Sequence, residues 1–167
     1  MEQAIQRFCD WLSATPLSIF IQSVAWIIPM VQSVHIFAIT VVMGSVLMMD
    51  MKLLGVVGRE TTVQDMNRRF LPWVWLALPV LFLTGVILTI AEPGRELINS
   101  MFRLKMLLVL TVIAFTIAYQ EVVRRNAAAW GDTPAYPWAA RAIAVVSLAF
   151  WIAIAVCGRW IAYVEHQ

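Results

Sequence analysis

The chain has 167 residues, of which 62% are hydrophobic and 13% charged. A water-soluble domain carries about a quarter charged residues and needs far less apolar surface, so composition excludes an ordinary soluble domain and points to a lipid bilayer as the surrounding solvent. The formal net charge of +2 is too small for a chain that binds nucleic acid, and nucleic acid is excluded as a partner.

Residues 1–29 are expected to form interfacial amphipathic helices. In QAIQRFCDWL, Ile5, Phe8, Cys9 and Leu12 recur at helical spacing while Glu2, Gln6 and Asp10 fall elsewhere, a pattern that suits a short helix lying at a membrane surface. Glu2 and Asp10 stand where a secretory leader would be basic, and no small-residue cleavage site follows, so the segment does not read as a signal peptide. Pro16 is placed to open a second helix. That helix is too short to cross before Pro29, and is expected to lean over one mouth of the bundle.

Residues 30–167 are expected to form one domain, giving an all-α fold: an integral membrane bundle of four transmembrane helices behind the amphipathic N-terminal segment. The spans are expected near 30–54, 71–91, 101–123 and 138–164. Each reaches the roughly 20 apolar residues that the hydrocarbon requires. Pro29 fits the start of the first span, and Pro79 is expected to kink the second. Trp26, Trp73, Trp75, Trp138 and Trp160 fall near span ends, where an amphipathic ring prefers to sit; Trp151 is expected to pack in the interior. Lys52, Arg59, Arg68, Arg69, Arg124, Arg125 and Arg141 lie on one side of the bundle. They outnumber Arg7, Arg95, Arg103, Lys105 and Arg159 on the other. This bias puts both connecting loops in the cytoplasm and both termini outside.

Ionisable groups inside a span cost a few kcal/mol on insertion scales and each needs a reason. His35, Glu92, Lys105 and Arg159 come from four different stretches and fall at similar depth, in the outer leaflet. Such a mixed-sign cluster can neutralise itself and can hold an anion, a metal or a cofactor propionate. His35 is the candidate metal or haem-iron ligand, Lys105 and Arg159 the candidate partners of an anion or propionate, and Glu92 a counter-charge. The plainer readings stand beside these: Lys105 and Arg159 snorkelling to headgroups, and His35 as a hydrogen bond between helices or a pH-sensitive group.

Copper is a second candidate, because Met43, Met48, Met49 and Met51 cluster late in the first span and thioethers suit Cu(I). Haem needs at least one axial His or Met. His35 would serve, with Met101 or Met106 conceivable opposite it, since the other histidine is His166 in the tail. Cys9 and Cys157 have no metal spacing. No nucleophile with a base and no phosphate-binding loop appears, and an enzyme is not expected.

The runs HIFAITVVMGSVLMMDMKLLG, FLPWVW, FRLKMLLVL and GRWIAY, in that order, resemble a group of short bacterial inner-membrane proteins filed as a domain of unknown function. The motif positions include His35, Gly44, Asp50, Gly55, Pro72, Trp73, Lys105, Gly158 and Arg159. The group is more distantly similar to the membrane domain of the copper-resistance protein D family and to small b-type cytochrome-like bundles. The resemblance implies four helices and a place in the cytoplasmic membrane, and it implies no reaction. It also implies a histidine in many members where this chain has Gln120, so a paired-histidine haem is not expected here.

Together these readings predict a non-catalytic membrane protein with a polar outer-leaflet pocket for a metal, haem or small redox partner. It would be a subunit or accessory of a larger membrane system. The alternatives are a purely structural subunit, with Gly44, Ser45, Gly85, Ala153 and Ala155 making helix contacts, and a small copper or ion transporter working as a homo-oligomer.

Overall fold

The computed structural model describes residues 2–58, 60–125 and 137–164, without the side chains of Gln120 and Arg159 among others. All regular structure in these residues is helical. Two short helices come first, α1 (Glu2–Ser13) and α2 (Pro16–Ser23). Four long ones follow, α3 (Ile27–Leu53), α4 (Val63–Ala91), α6 (Ser100–Arg125) and α7 (Pro137–Val164), with a one-turn α5 (Pro93–Leu97) between α4 and α6. Each long helix is long and apolar enough to cross a membrane.

Local sequence explains the boundaries. Thr15 caps α2 by accepting from Ser18 N, with Pro16 at the first helical position, where its missing N–H costs nothing. Pro29 lies in the first turn of α3, so the helix opens slightly before the expected residue. The larger departure is in α4, which starts at Val63 rather than near Leu71. Thr62 and Asp65 form a reciprocal capping box: Asp65 N donates to Thr62 Oγ1 (3.1 Å), and Thr62 N donates to Asp65 Oδ2 (3.4 Å), with the Thr62 hydroxyl also on Oδ2 (2.8 Å). Two polar turns, with Gln64, Asp65, Arg68 and Arg69 exposed, thus extend the helix past its apolar stretch. Pro72 and Pro79 both sit inside α4, which continues through them.

The turn between α3 and α4 depends on glycine. Gly55 and Gly58 have φ of 78° and 68°, and Lys52 Nζ donates to Gly58 O at 2.7 Å. A Cβ on Gly58 would lie 2.6 Å from Thr61 Oγ1 and 2.9 Å from Met66 Cε. Gly58→Ala therefore adds a clash to a left-handed backbone. It is expected to cost more than about 1 kcal/mol, read as a lower unfolding midpoint of the detergent-purified chain. Gly55→Ala meets only the backbone term and is expected to cost less.

α4 packs along α3, α3 lies against α7, and α7 against α6, with α5 bridging α4 to α6. Ala38, Val42, Val46, Met49, Val74 and Ala77 form the main core, with Trp151 packed against it. A second cluster joins Leu53, Val63, Ala140 and Ala144. The outward surface is apolar as well: Phe37, Phe82, Leu107, Leu110 and Ile152 are exposed. Soluble monomers rarely expose apolar surface so continuously.

The N-terminal helices are fastened to the end of α4. The Ser18 hydroxyl donates to Ile90 O (2.7 Å), Gln22 Nε2 donates to Ala91 O (2.7 Å), and Cys9 Sγ lies 3.5 Å from Pro93 O. The last carbonyls of a helix have no partner within it, and α1 and α2 supply partners from outside. This places both short helices over one end of the bundle.

Candidate functional site

That same end carries His35. It lies about two turns into α3, and its Nδ1 is 2.7 Å from Thr84 Oγ1 on α4. The Thr84 hydroxyl has one proton, and it donates that proton to Val80 O at 2.6 Å. Thr84 Oγ1 can therefore only accept from the imidazole. The network assigns the proton of a neutral ring to Nδ1 and leaves Nε2 with a bare lone pair. Gly85 flanks the ring: a Cβ there would lie 3.7 Å from His35 Cε1.

Lys105 on α6 is close enough for its charge to act on His35. Its side chain lies over Gly158 of α7, where a Cβ would be 3.8 Å from Nζ. Glu96 on α5 and Cys157 on α7 act on Lys105 in turn. Groups from α3, α4, α5, α6 and α7 thus gather at one level. Of the four residues expected there, His35 and Lys105 lie within electrostatic range of each other. The Arg159 backbone follows Gly158 in α7, and its side chain lies outside the described residues. Glu92 is placed elsewhere: it pairs with Arg95 at 2.8 Å, half-exposed at the α4–α5 junction. The acidic group acting on Lys105 is Glu96, one helical turn further on.

The methionines do not make a site. Met49 is buried, Met48 is exposed, and Met43 and Met51 are half-buried, so they point several ways around α3. Met106 turns outward. Among the described residues, no three His, Cys, Asp or Glu side chains meet in a way that could hold a metal ion. Cys9 and Cys157 are free and buried. Burial and the neighbouring Asp10 push the Cys9 thiol above its usual range. Since the thiolate is the nucleophile, Cys9 in a Cys157→Ser background is expected to alkylate slowly near neutral pH. Its iodoacetamide rate should rise only as pH climbs past that of a free thiol; an ordinary rate at neutral pH would show an accessible thiol.

A second polar layer lies at the other end. Asp50 is fifteen residues beyond His35 on α3, about 22 Å at 1.5 Å per residue. It is 4% exposed, and its Oδ2 is buried without a hydrogen-bond partner. Ser147 on α7 hydrogen-bonds to the carboxyl group. Tyr119 on α6 and buried Asn67 on α4 meet beside it. Asp50 and Ser147, with Thr116, Tyr119 and apolar neighbours, line a cavity of about 30 Å³. Gln120 is fifteen residues past Lys105 on α6, so its backbone belongs to this layer, remote from His35. Between the layers the core is apolar and packed: Val42 is 0% and Val112 2% exposed.

Sequence reading names Asp50 only as a motif position and gives it no role, and it passes over Thr84, Glu96 and Ser147. The available signal for Asp50 was a carboxylate four residues before the helix end, which reads as a boundary residue. Threonine is common in apolar spans, and nothing in its spacing marks Thr84 as the partner of a histidine 49 residues away.

A four-helix bundle of membrane-span length, apolar outside, with a polar layer at each end and an apolar waist, defines a class of small helical membrane-type proteins. Within that class the chain belongs to a family of unknown function (DUF6644), whose pattern matches residues 8–164, a stretch that includes both layers. No curated protein and no solved structure matches the chain.

Proposed function

We propose that this is a non-catalytic, multi-pass protein of the bacterial inner membrane that holds a redox group at His35 on behalf of a larger membrane system. One observation carries the reading: Thr84 Oγ1 holds His35 Nδ1 at 2.7 Å, so that Nε2 is a bare donor, within range of the Lys105 charge. A histidine that ligates a metal is characteristically oriented in this way, its other ring N–H spent on a fixed acceptor.

Haem b fits these residues better than copper. The porphyrin supplies four ligands to its iron, so one imidazole suffices, while Lys105, and Arg159 on the neighbouring helix, would meet the propionates. A bare copper ion asks for several protein ligands; no three His, Cys, Asp or Glu side chains gather among the described residues, and the methionines late in α3 differ in burial and point several ways. A distant kinship with the copper-resistance protein D membrane domain would act through the same Nε2. When bound, haem supplies one-electron transfer. The protein's part is to fix the ring, set the local charge and exclude water. Loop charge favours periplasmic termini and a site in the outer leaflet.

The structural-subunit reading has its own support. A Cβ on Gly44 would meet nothing within 4 Å, and Ala155 is exposed. These small residues make no close contact within the chain and are open to another one. A transport pathway through one protomer is disfavoured by Val42 and Val112, so a pore would run between protomers.

The test is the absorption spectrum of the detergent-purified full chain from haem-replete cells. A Soret band is expected in the wild type and is expected to be absent in His35→Ala. If the wild type shows no band and binds neither added haemin nor stoichiometric copper, the redox-group reading fails and the structural one stands.

A further inference from the structure

We propose that the chain binds one small monovalent cation, of sodium size, in the cavity at Asp50. This inference is independent of the His35 layer. It starts from an imbalance of charge. Asp50 is 96% buried and Oδ2 has no partner; an isolated carboxylate so far from water is costly unless something positive meets it.

The chain's own described cations are turned elsewhere. On α3, Lys52 donates to Gly58 O. On α4, Arg68 and Arg69 are exposed, and Arg69 lies over the Phe70 ring. On α7, Arg141 is exposed. Among the described side chains of α6, the ionisable groups on this side are Tyr119, which meets Asn67, and half-buried Glu121; those of Arg124 and Arg125 lie outside the described residues. The neutralising charge must come from outside these residues.

The cavity's chemistry indicates which charge. Its volume of about 30 Å³ is room for one or two water-sized guests. Asp50 is the only carboxylate among its lining residues, and the polar remainder is hydroxyl: Ser147, Thr116 and Tyr119. Thr116 has spent its proton on Val112 O at 2.8 Å, and Ser147 directs its hydroxyl to Asp50. What Thr116 and Ser147 have left is lone pairs, and Tyr119 adds a hydroxyl oxygen beside them. A space lined by oxygen acceptors and a single negative charge suits a hard cation carrying one positive charge; a divalent ion would be left half-compensated. A proton on Oδ2 would cancel the charge and satisfy one acceptor, leaving the other oxygens facing empty space or water.

Equilibrium dialysis of the purified full chain against ²²Na⁺, with potassium and choline as competitors at constant ionic strength, tests this. We expect about one sodium per chain, displaced weakly by potassium and not by choline. Sodium should raise the unfolding midpoint saturably. Asp50→Asn keeps the shape and removes the charge, and is expected to abolish both effects. Thr116→Val is expected to weaken binding about tenfold, which keeps the test open if Asp50→Asn does not accumulate. His35→Ala should bind sodium normally, so failure of the haem reading leaves this one untouched. The proposal is overturned if the wild type retains no sodium while infrared spectra show a protonated carboxyl band that Asp50→Asn removes: Asp50 would then be neutralised by a proton and the cavity filled by water.

Discussion

Thr84→Val is expected to strip the proposed redox group from the protein almost as thoroughly as His35→Ala, although Thr84 would touch neither iron nor porphyrin. Valine matches threonine in shape, so the α3–α4 packing survives and the unfolding midpoint should fall only modestly. What is lost is the acceptor for His35 Nδ1–H, 2.7 Å away. Without it the proton is free to move to Nε2, which puts a hydrogen where the lone pair must be. Outer-sphere partners of this kind typically control about 10- to 100-fold in affinity. The expected result is a haem content, read from the Soret band against protein absorbance, lowered by that order in Thr84→Val and restored in Thr84→Ser, whose hydroxyl can again donate to Val80 O and accept from the ring. If the band is unchanged in Thr84→Val, the tautomer argument fails even where His35 itself is essential. A merely structural role for Thr84 would move the midpoint and leave the band per folded protein intact.

The contrast between His35 and Thr84 shows what kind of information the sequence carries. The four long helices are legible because apolar residues run for about 20 positions, a signal that does not depend on which helix neighbours which. Counting residues from the ends of those runs also puts His35 and Lys105 at one depth, and α3 and α6 carry them to one layer. Depth alone fails where azimuth matters. Glu92 has the right depth, but the Glu92–Pro93 step opens a new turn of helix, so Glu92 meets Arg95 and Glu96 turns towards Lys105. Asp50 lies at a span end, where a carboxylate is unremarkable. Its burial arises only because α6 and α7 bring Tyr119 and Ser147 across it, a contact between residues about 70 and 100 positions away. The early start of α4 was legible and overlooked: Thr62-x-x-Asp65 is a capping signature, masked by the polar residues after it. Gly44 shows a different limit: a small residue in a span reads as a helix contact, and since it faces outward within the chain, the helix it would meet belongs to another chain.

Val42→Asp is expected to cause the largest loss of stability of any single change considered, and Val42→Thr very little. Val42 is fully buried in the waist that separates the two polar layers. An aspartate there would be a second unpaired carboxylate, enclosed by Ala38, Val46, Val74 and Ala77, with no cavity or hydroxyl to receive it. Uncompensated buried charges cost about 3–5 kcal/mol, comparable to much of the stability of a small protein, so the variant should fail to accumulate. Threonine adds a polar group at the same place and nearly the same volume, but an α-helix offers it a partner. Ser45 donates to Val41 O (2.7 Å), Thr40 to Ile36 O (3.0 Å), Thr89 to Gly85 O (2.9 Å) and Thr111 to Leu107 O (2.8 Å). A hydroxyl at position 42 can donate to Ala38 O in the same way. Membrane yield and unfolding midpoint of the two variants decide the matter. If Val42→Asp accumulates normally, water reaches the waist, the two layers are not insulated from each other, and a conducting path through a single protomer becomes the better account of the fold.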